Sequence, residues 1–516
     1  MAESALRAVP PIDTGSVEMV DLTRWPSDSD ALGHVAETYA SERCVLPIRI
    51  DHDGALVVAF ADRVDEALVA ELQVLVRRQL KTVVAPRSAV REAIRQRYRV
   101  LPQVDEWVRV FNEQSPVAGV RSDPAILGSE SSPIVQIVDR LIAQGLRDRA
   151  SDVHIEPQKD ALRIRFRIDG LLMDAIRLPR EMGPAIASRI KVMANMDIVD
   201  RHRAQDGQIR IDSDSRKVDI RVSTAETIWG EKLVLRLLDQ GRTILSLNDL
   251  GLGAHNHPVM QRLLQSPYGM IIVSGPTGSG KTTSLYASIA ELDHVTQNIT
   301  TIEDPVEYTF DDINQIQIRK VANLTFANGL RAILRQDPDV ILVGEIRDRE
   351  TAEIAVQSSL TGHLVLSSLH ATDAAGVIQR FIEMGVEGFL ISSSLIGVVA
   401  QRLVRRICPQ CQDVYKPSRE EMRLWTQHAP GPKQVFYRGL GCESCAGTGY
   451  RGRVGVFEVL TLSDEIKAMV SAHASANAIR AQAVREGMIG LRADAVMKVA
   501  TDVTTLAEVM RCVWLN

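Results

Sequence analysis

An α/β protein of several domains is predicted by three features of the sequence. The chain has 516 residues, more than one hydrophobic core ordinarily serves. From residue 160 to 238, stretches of singly alternating apolar and charged residues recur, the period of an antiparallel sheet with one polar face. Beyond residue 246, short apolar runs alternate with helical patterns, as in a parallel sheet covered by helices. Composition agrees: 45% hydrophobic and 24% charged residues describe a folded globular chain rather than a disordered one.

The first domain is expected over 1–110. "MAESALRAVPPIDTGSVEMVD" lacks the basic start and apolar centre of a secretory signal. "ALGHVAETYASER" and "DEALVAELQVLVRRQL" have helical spacing, and "VLPIRI" and "ALVVAF" are strand-like, giving a small α/β unit over 31–100. Gly and Pro in "NEQSPVAGVRSDPAILGSESSP" mark a linker over 111–133. A second domain, 134–241, opens with a helix to residue 149. In "DALRIRFRIDGLLMDAIRL", Leu162, Ile164, Phe166 and Ile168 share one face, and Arg163, Arg165 and Arg167 the other. "RKVDIRVS" and "EKLVLRLL" repeat the habit, with Asp219 and Arg221 on a polar face and Arg236 among apolar neighbours. A solvated sheet face accounts for most of these arginines.

The third domain, 242–516, begins after the connection "LDQGRTILSLNDLG" and carries the most specific motif. In "MIIVSGPTGSGKTTSLYASIAEL" an apolar strand (Met270–Val273) runs into Gly275, Pro276, Thr277, Gly278, Ser279, Gly280, Lys281, Thr282 and Thr283, and a helix follows. This is a phosphate-binding loop in its required context: glycines let backbone N–H groups curl around phosphates, Lys281 reaches the β- and γ-phosphates, and the Thr282 hydroxyl ligands Mg²⁺. A glycine-rich turn would match only by coincidence of pattern and flanks.

Enzymes with such a loop bring an acidic residue to the metal from a second apolar strand. "VILVGE" supplies that strand, with Gly344 where an Asp often ends it and Glu345 next. Glu345 is therefore read as handling the metal's water shell or polarising the attacking water. "ITTIEDPVEY" adds Glu303, Asp304 and Glu307 on a turn set by Pro305. "TGHLVLSSLHATDA" places His363 and His370 at opposite ends of an apolar strand, so they cannot share a ligand directly. Each alone reads as a structural histidine; its neighbours single out His370.

Four of the six cysteines fall as "CPQC" and "CESC". Cys408, Cys411, Cys442 and Cys445 can close a tetrahedral thiolate site for Zn²⁺ inside an insertion over 406–450. The 30 residues between the pairs exceed the common ribbon spacing and must form a substructure. Cys44 and Cys512 read as packing residues.

At this point the sequence resembles the assembly ATPases of type II secretion and type IV pilus systems. The matching stretches are "ASDVHIEP", "RFRIDG", "GPTGSGKTT", "TIEDPVEY", "GLRAILRQDPDVILVGEIRD" and "TGHLVLSSLHATDA". The resemblance implies a homo-hexamer, with ATP held between a PAS-like second domain and a RecA-like ATPase domain. It implies water activation and Mg²⁺ handling by Glu307 and Glu345, and a histidine box of His363 and His370. Nucleotide contact or ring coupling is implied for Arg221, Arg236, Arg331, Arg335 and Arg347. It also implies that the N-terminal domain docks the cytoplasmic domain of an inner-membrane secretion or pilus protein, and that force reaches an inner-membrane platform protein. The four-cysteine insertion disfavours pilus retraction, whose motors generally lack it.

No run is long and apolar enough to span a bilayer: "FLISSSLIGVVA" is short and broken by serines. A cytoplasmic protein with reduced thiols, reaching the inner membrane through partners, is expected. A nucleic-acid translocase is the reading from another class. The net charge of −5 and 4% aromatics argue against it, and the basic run "RLVRR" (402–406) reads as a helix cap. A nucleotide-sensing scaffold without turnover would not need Lys281, Thr282 and Glu345 together. Between secretion and pilus extension, the single short N-terminal domain leans toward secretion.

Overall fold

The computed structural model describes residues 18–97 and 132–514, apart from 23–28, 33, 36, 52, 214–215, 240–245, 320–321 and 430, together with 108, 109 and 111. The linker expected over 111–133 lies almost wholly outside the described residues, as does most of the connection after residue 239. The chain divides into two compact units, Met1–Asp239 and Gln240–Asn516.

In the first unit, β1 (Glu18–Met19), β2 (Val45–Ile50), β3 (Leu56–Ala61) and β4 (Leu80–Ala85) form a sheet in the order β1-β4-β3-β2. Its core gathers Leu46, Ile48, Val58 and Phe60 with Leu72 and Ile94 from the helices. The helical stretch expected over 31–43 is split into Ser29–Leu32 and Glu37–Arg43, around the poor helix former Gly33. The next helix is shorter than its spacing suggested. It ends at Val76, where Arg77 turns left-handed at φ 55°, so Leu80 opens β4 instead of closing the helix.

The same unit holds a six-stranded antiparallel sheet: β5 (Ala150–Pro157), β6 (Leu162–Ile168), β7 (Leu171–Leu178), β8 (Gln205–Ser213), β9 (Arg216–Thr227) and β10 (Gly230–Asp239), in the order β7-β6-β5-β10-β9-β8. One face packs under the helix Pro133–Arg147. At Gly145 the approach is so close that a Cβ would lie 3.1 Å from Leu237 and 3.2 Å from Val153. The other face pairs its charges. Arg165 grips Glu156 with two bonds of 2.8 and 2.9 Å, and Asp152 receives Arg167 at 3.4 Å and Arg236 at 3.2 Å.

The second unit is built on β11 (Gly269–Ser274), β12 (Ile299–Glu303), β13 (Asn314–Gln317), β14 (Val340–Val343), β15 (Leu364–Leu369) and β16 (Leu395–Ile407). These six run parallel in the order β13-β12-β14-β15-β11-β16. Beyond the Cys pairs' own hairpin, β17 (Gln412–Tyr415) with β18 (Phe436–Gly439), the antiparallel β19 (Tyr450–Thr461) closes the sheet beside β16. Strands β11, β12, β14 and β15 are buried throughout, so their sequences do not alternate: β14 is wholly apolar, and the others are apolar apart from Ser274, Thr300, Thr301, Glu303, Ser367 and Ser368. Separate apolar clusters fill the two faces of the sheet, one around Ile272, Ile302 and Phe381, the other around Val273, Leu285 and Phe457.

The run "RLVRR" does not cap a helix; it lies inside β16. Alternation along the strand sends Arg405 inward to Glu508, which is fully buried and accepts from Arg405 Nη2 at 2.7 Å and Arg511 Nη2 at 2.6 Å. The Arg405 guanidinium also lies 3.9 Å from the centre of the Tyr450 ring. Burial raises the Glu508 carboxyl, but hydrogen bonds from Arg511 and Arg405 outweigh it and hold the carboxyl at about 2. A carboxyl so depressed stabilises the fold above its unfolded pKa of about 4.3, and that contribution is lost as pH falls toward the folded value. Replacing it by E508Q is expected to cost roughly 3 kcal/mol at neutral pH and to flatten the acid limb below about pH 4. Urea unfolding of both proteins across pH measures this, and an unchanged acid limb would contradict it.

Candidate active site

Strand β11 sits between β15 and β16 and delivers the loop Gly275–Thr283 at its carboxyl end. Gly275 (φ 152°), Gly278 (φ 76°) and Gly280 (φ 88°) have the backbone freedom the turn requires. Space demands glycine as well: a Cβ on Gly275 would meet the Ser279 hydroxyl at 2.5 Å and the Gln401 carbonyl at 2.6 Å. Pro276, Thr277 and Gly278 form the exposed tip, and Gly280 opens the helix Lys281–Ala290. Lys281 folds over the loop and donates to the Gly275 carbonyl at 2.9 Å and to Pro276 at 3.2 Å. Burial lowers its ammonium from the usual range; Glu345 pulls it back up, and Arg402 lowers it further. Thr282 and Thr283 are exposed on the first turn of that helix. A cradle that a Cβ would fill, and a buried Ser279 hydroxyl without a partner, fit a phosphate chain.

Glu345 leaves the sheet two residues beyond β14, on the other side of β15. Its position is fixed from below: Ser367 and Ser368 of β15 donate to the carbonyls of Val343 and Gly344 at 2.7 and 2.8 Å. Gly344 is bonded to the Ile302 carbonyl at 2.8 Å, and a Cβ there would lie 3.3 Å from that same oxygen. The Glu345 carboxylate pairs with Arg347 and lies 3.8 Å from His370 Nε2. Burial lowers the pKa of His370, Lys281 and Arg347 lower it further, and Glu345 opposes them. The imidazole is therefore neutral at pH 7 and keeps one nitrogen able to accept a proton. Loop, carboxylate and imidazole thus meet at the carboxyl ends of β11, β14 and β15, where parallel sheets place their chemistry.

The turn after β12 divides its three acids. Asp304 is exposed and faces Arg347. Glu303 is enclosed by its own chain. It is 3% exposed, and its carboxylate accepts from Tyr286 at 2.5 Å, Thr301 at 2.7 Å and Gln315 at 3.1 Å. It scaffolds the turn. Tyr286 lies on the helix after the phosphate loop, and its hydroxyl also accepts from the Glu307 amide at 3.2 Å. One phenol therefore ties the loop's helix to the segment carrying Glu307. Burial, then the bond to Glu303, keeps that phenol protonated by raising its pKa.

His363 lies away from the phosphate loop of its own chain. It stands at the amino end of β15, where its carbonyl accepts from the Gly269 amide at the start of β11, and its ring is bonded to the Ser358 carbonyl at 2.8 Å. The phosphate loop of the same chain leaves the opposite end of β11. Arg221 and Arg236 are cross-strand partners on β9 and β10 of the first unit, with Arg236 on Asp152. Sequence reading missed Tyr286, Gln401 and Arg402. Gln401 donates to the Ser279 carbonyl at 2.7 Å, and Arg402 to the Thr372 carbonyl, just past His370, at 2.8 Å. The only signal was the basic run assigned to a helix cap.

Cys408, Cys411, Cys442 and Cys445 come together with all four sulfurs within 4.8 Å. Sγ separations are 3.7 Å for Cys408–Cys442 and Cys442–Cys445 and 3.8 Å for Cys411–Cys445. A tetrahedral centre with bonds of about 2.3 Å sets its thiolates about 3.8 Å apart, so this donor set fits such a metal. Amides of Gly441, Cys442 and Gly449 donate to the Cys411 and Cys445 sulfurs at 3.1 to 3.3 Å, as thiolates require. The long gap between the pairs builds the β17–β18 hairpin and the helix Arg419–His428.

Fold and site together define a P-loop ATPase. Residues 128–511 match the family described as "Type II/IV secretion system protein", and residues 16–103 match the MshEN domain. The type II secretion system ATPase E of Vibrio cholerae is 45% identical over 391 residues, covering 76% of this chain and 77% of that one. The type IV pilus assembly ATPase PilB of Myxococcus xanthus is 39% identical over 508 residues, 96% of this chain and 88% of that one. The X-ray structure of the Legionella pneumophila ATPase DotB shares the fold, with a TM-score of 0.54 at 20% identity over 76% of this chain and 96% of that one. The chain belongs to the type II/IV secretion system protein family and is an ATPase of type II secretion or type IV pilus assembly.

Proposed function

We propose that the chain is a cytoplasmic motor that works as a homo-hexamer and hydrolyses ATP to drive pseudopilus assembly and protein export in a type II secretion system. The observation that carries this reading is the convergence of Lys281, Glu345 and His370 on one edge of the sheet. Lys281 and the loop amides hold the β- and γ-phosphates. Glu345 orients the attacking water, with Glu307 and the neutral His370 beside it to take up the proton. The Thr282 hydroxyl would hold Mg²⁺, which when bound would neutralise charge on the phosphates. The RecA-like domain 242–516 works against the PAS-like domain 134–241, whose Arg221 and Arg236 reach the nucleotide, and His363 serves a neighbouring subunit.

Type IV pilus extension is the second reading, and one observation favours it: the match to the pilus assembly ATPase spans 508 residues, whereas the match to the secretion ATPase spans 391. The lower identity of the longer match covers more of the chain, so the two percentages do not rank the readings. In both, the N-terminal domain docks the cytoplasmic domain of an inner-membrane protein, and the motion is delivered to a platform protein. Among the described residues no helix is long and apolar enough to cross a membrane, which supports attachment through partners. The net charge of −5 supports a protein partner rather than nucleic acid. The four cysteines hold a structural Zn²⁺ that organises residues 406–450.

Three outcomes are expected. K281A abolishes turnover, and E345Q keeps ATP affinity while losing roughly 10²–10⁴ in rate; near-normal hydrolysis by E345Q would remove its assigned role. Purified protein contains one zinc per chain by elemental analysis, and Cys→Ser variants loosen residues 406–450 first in hydrogen exchange; metal-free protein purified without chelators would refute this. Deleting residues 1–110 leaves ATP hydrolysis but abolishes membrane fractionation. Assayed in the same cells, loss of an exported protein supports secretion and loss of surface pili supports extension. A truncated protein that still pellets with membranes and supports both would move the dock elsewhere.

A further inference from the structure

We infer that Gln401 is a positioning residue for ATP hydrolysis: its side-chain amide holds the phosphate loop in the shape that receives nucleotide. Gln401 lies on β16 beside the end of β11, since Ala400 pairs with Ser274, and opposite Phe457 of β19. It is 1% exposed. Its Nε2 donates to the Ser279 carbonyl at 2.7 Å, within the loop itself. Its own carbonyl limits Gly275, where a Cβ would come to 2.6 Å, and its amide limits Gly280, where a Cβ would come to 3.3 Å. One residue therefore shapes both ends of the loop.

The bond has a direct consequence for ligand binding. In a planar trans peptide the C=O and the following N–H point in opposite directions. Anchoring the Ser279 carbonyl toward β16 turns the Gly280 amide hydrogen away from β16, toward the inside of the loop. Loop N–H groups are what phosphate oxygens bind. The strand's own needs do not explain the residue. Its neighbours on either side include Val398, Val399, Leu403 and Val404, and the Gln401 Oε1 is buried with no partner. A buried amide left half-satisfied destabilises a strand relative to an apolar side chain of similar size. The amide is retained where the fold alone would favour methionine.

Two variants of the full-length protein test this. Q401M keeps the volume and removes the donor. It is expected to bind ATP and ADP about tenfold more weakly, while the melting temperature without nucleotide stays equal or rises. In Q401E the neutral acid can still donate to Ser279, whereas the carboxylate faces the carbonyl with no proton. Its ATP affinity is expected to fall below that of wild type by pH 9, where residue 401 is ionised. Lys281 and Arg402 beside the loop, and Asp494 bonded to the Phe457 amide opposite, are common to both proteins, so the difference between the two profiles reports residue 401. Wild-type affinity for ATP and ADP in Q401M overturns the proposal. Should Q401M fail to fold, Q401E decides: a deficit in ATP affinity at pH 9 supports it, and wild-type affinity at pH 9 overturns it.

Discussion

The catalytic edge depends on one constraint, the closeness of the end of β11 to its neighbours in the sheet. The strand is held on both sides, by β15 and by β16, and has no exposed residue from Gly269 to Ser274. A chain leaving so confined a place has no room for a side chain at its first loop position, and Gly275 supplies none. Within the loop, Gln401 of β16 holds the Ser279 carbonyl, which turns the following amide away from that strand, and loop amides are what a phosphate site requires. Lys281 then brings its charge to a loop whose shape the sheet has already set. The glycine pattern visible in the sequence is thus a record of sheet packing as much as of ligand binding.

The second demand is that a carboxylate stand across β15 from this loop. A glutamate after a strand would ordinarily swing freely. Here Ser367 and Ser368 fix the carbonyls on either side of the strand's end, and Gly344 allows β12 to approach. Only then does the chain release Glu345, between Arg347 and His370. The serines of "LSSLH" interrupt an otherwise apolar buried strand, and their hydroxyls are satisfied by the element they position.

Legibility in the sequence followed the range of the forces involved. The parallel sheet, the phosphate loop and Glu345 were readable because each is written in a few consecutive residues. The cysteine cluster was readable because thiols have few uses in such pairs, although the hairpin between them was not. What stayed illegible depended on partners distant in sequence. Glu303 looks like an exposed acid in "TIEDPVEY", yet Tyr286, Thr301 and Gln315 enclose it. His363 and His370, by contrast, were legible as the two ends of one strand, and β15 sets them about 23 Å apart at strand spacing. Helix limits erred for a local reason, since spacing cannot see that Arg77 turns left-handed.

Strand β16 shows most clearly why the misread run "RLVRR" has the composition it does. Polar side chains inside a sheet destabilise it unless each is paired, and β16 carries Gln401 and Arg405 on one face and the half-buried Arg402 on the other. Each is paired to a different element: Gln401 to the phosphate loop, Arg402 to the segment after His370, and Arg405 to Glu508 near the carboxyl terminus. The next residue after the strand is Cys408, whose amide is bonded to the Gly449 carbonyl at 3.0 Å. From Gln401 to Cys408 the chain rises about 23 Å at strand spacing, with β19 paired alongside for nearly all of it. A helix cap would have spent these charges on solvent and helix carbonyls. As a strand, the same residues brace the nucleotide loop, the histidine segment and the cysteine cluster against a single backbone, so that none of the three can shift far without straining the others.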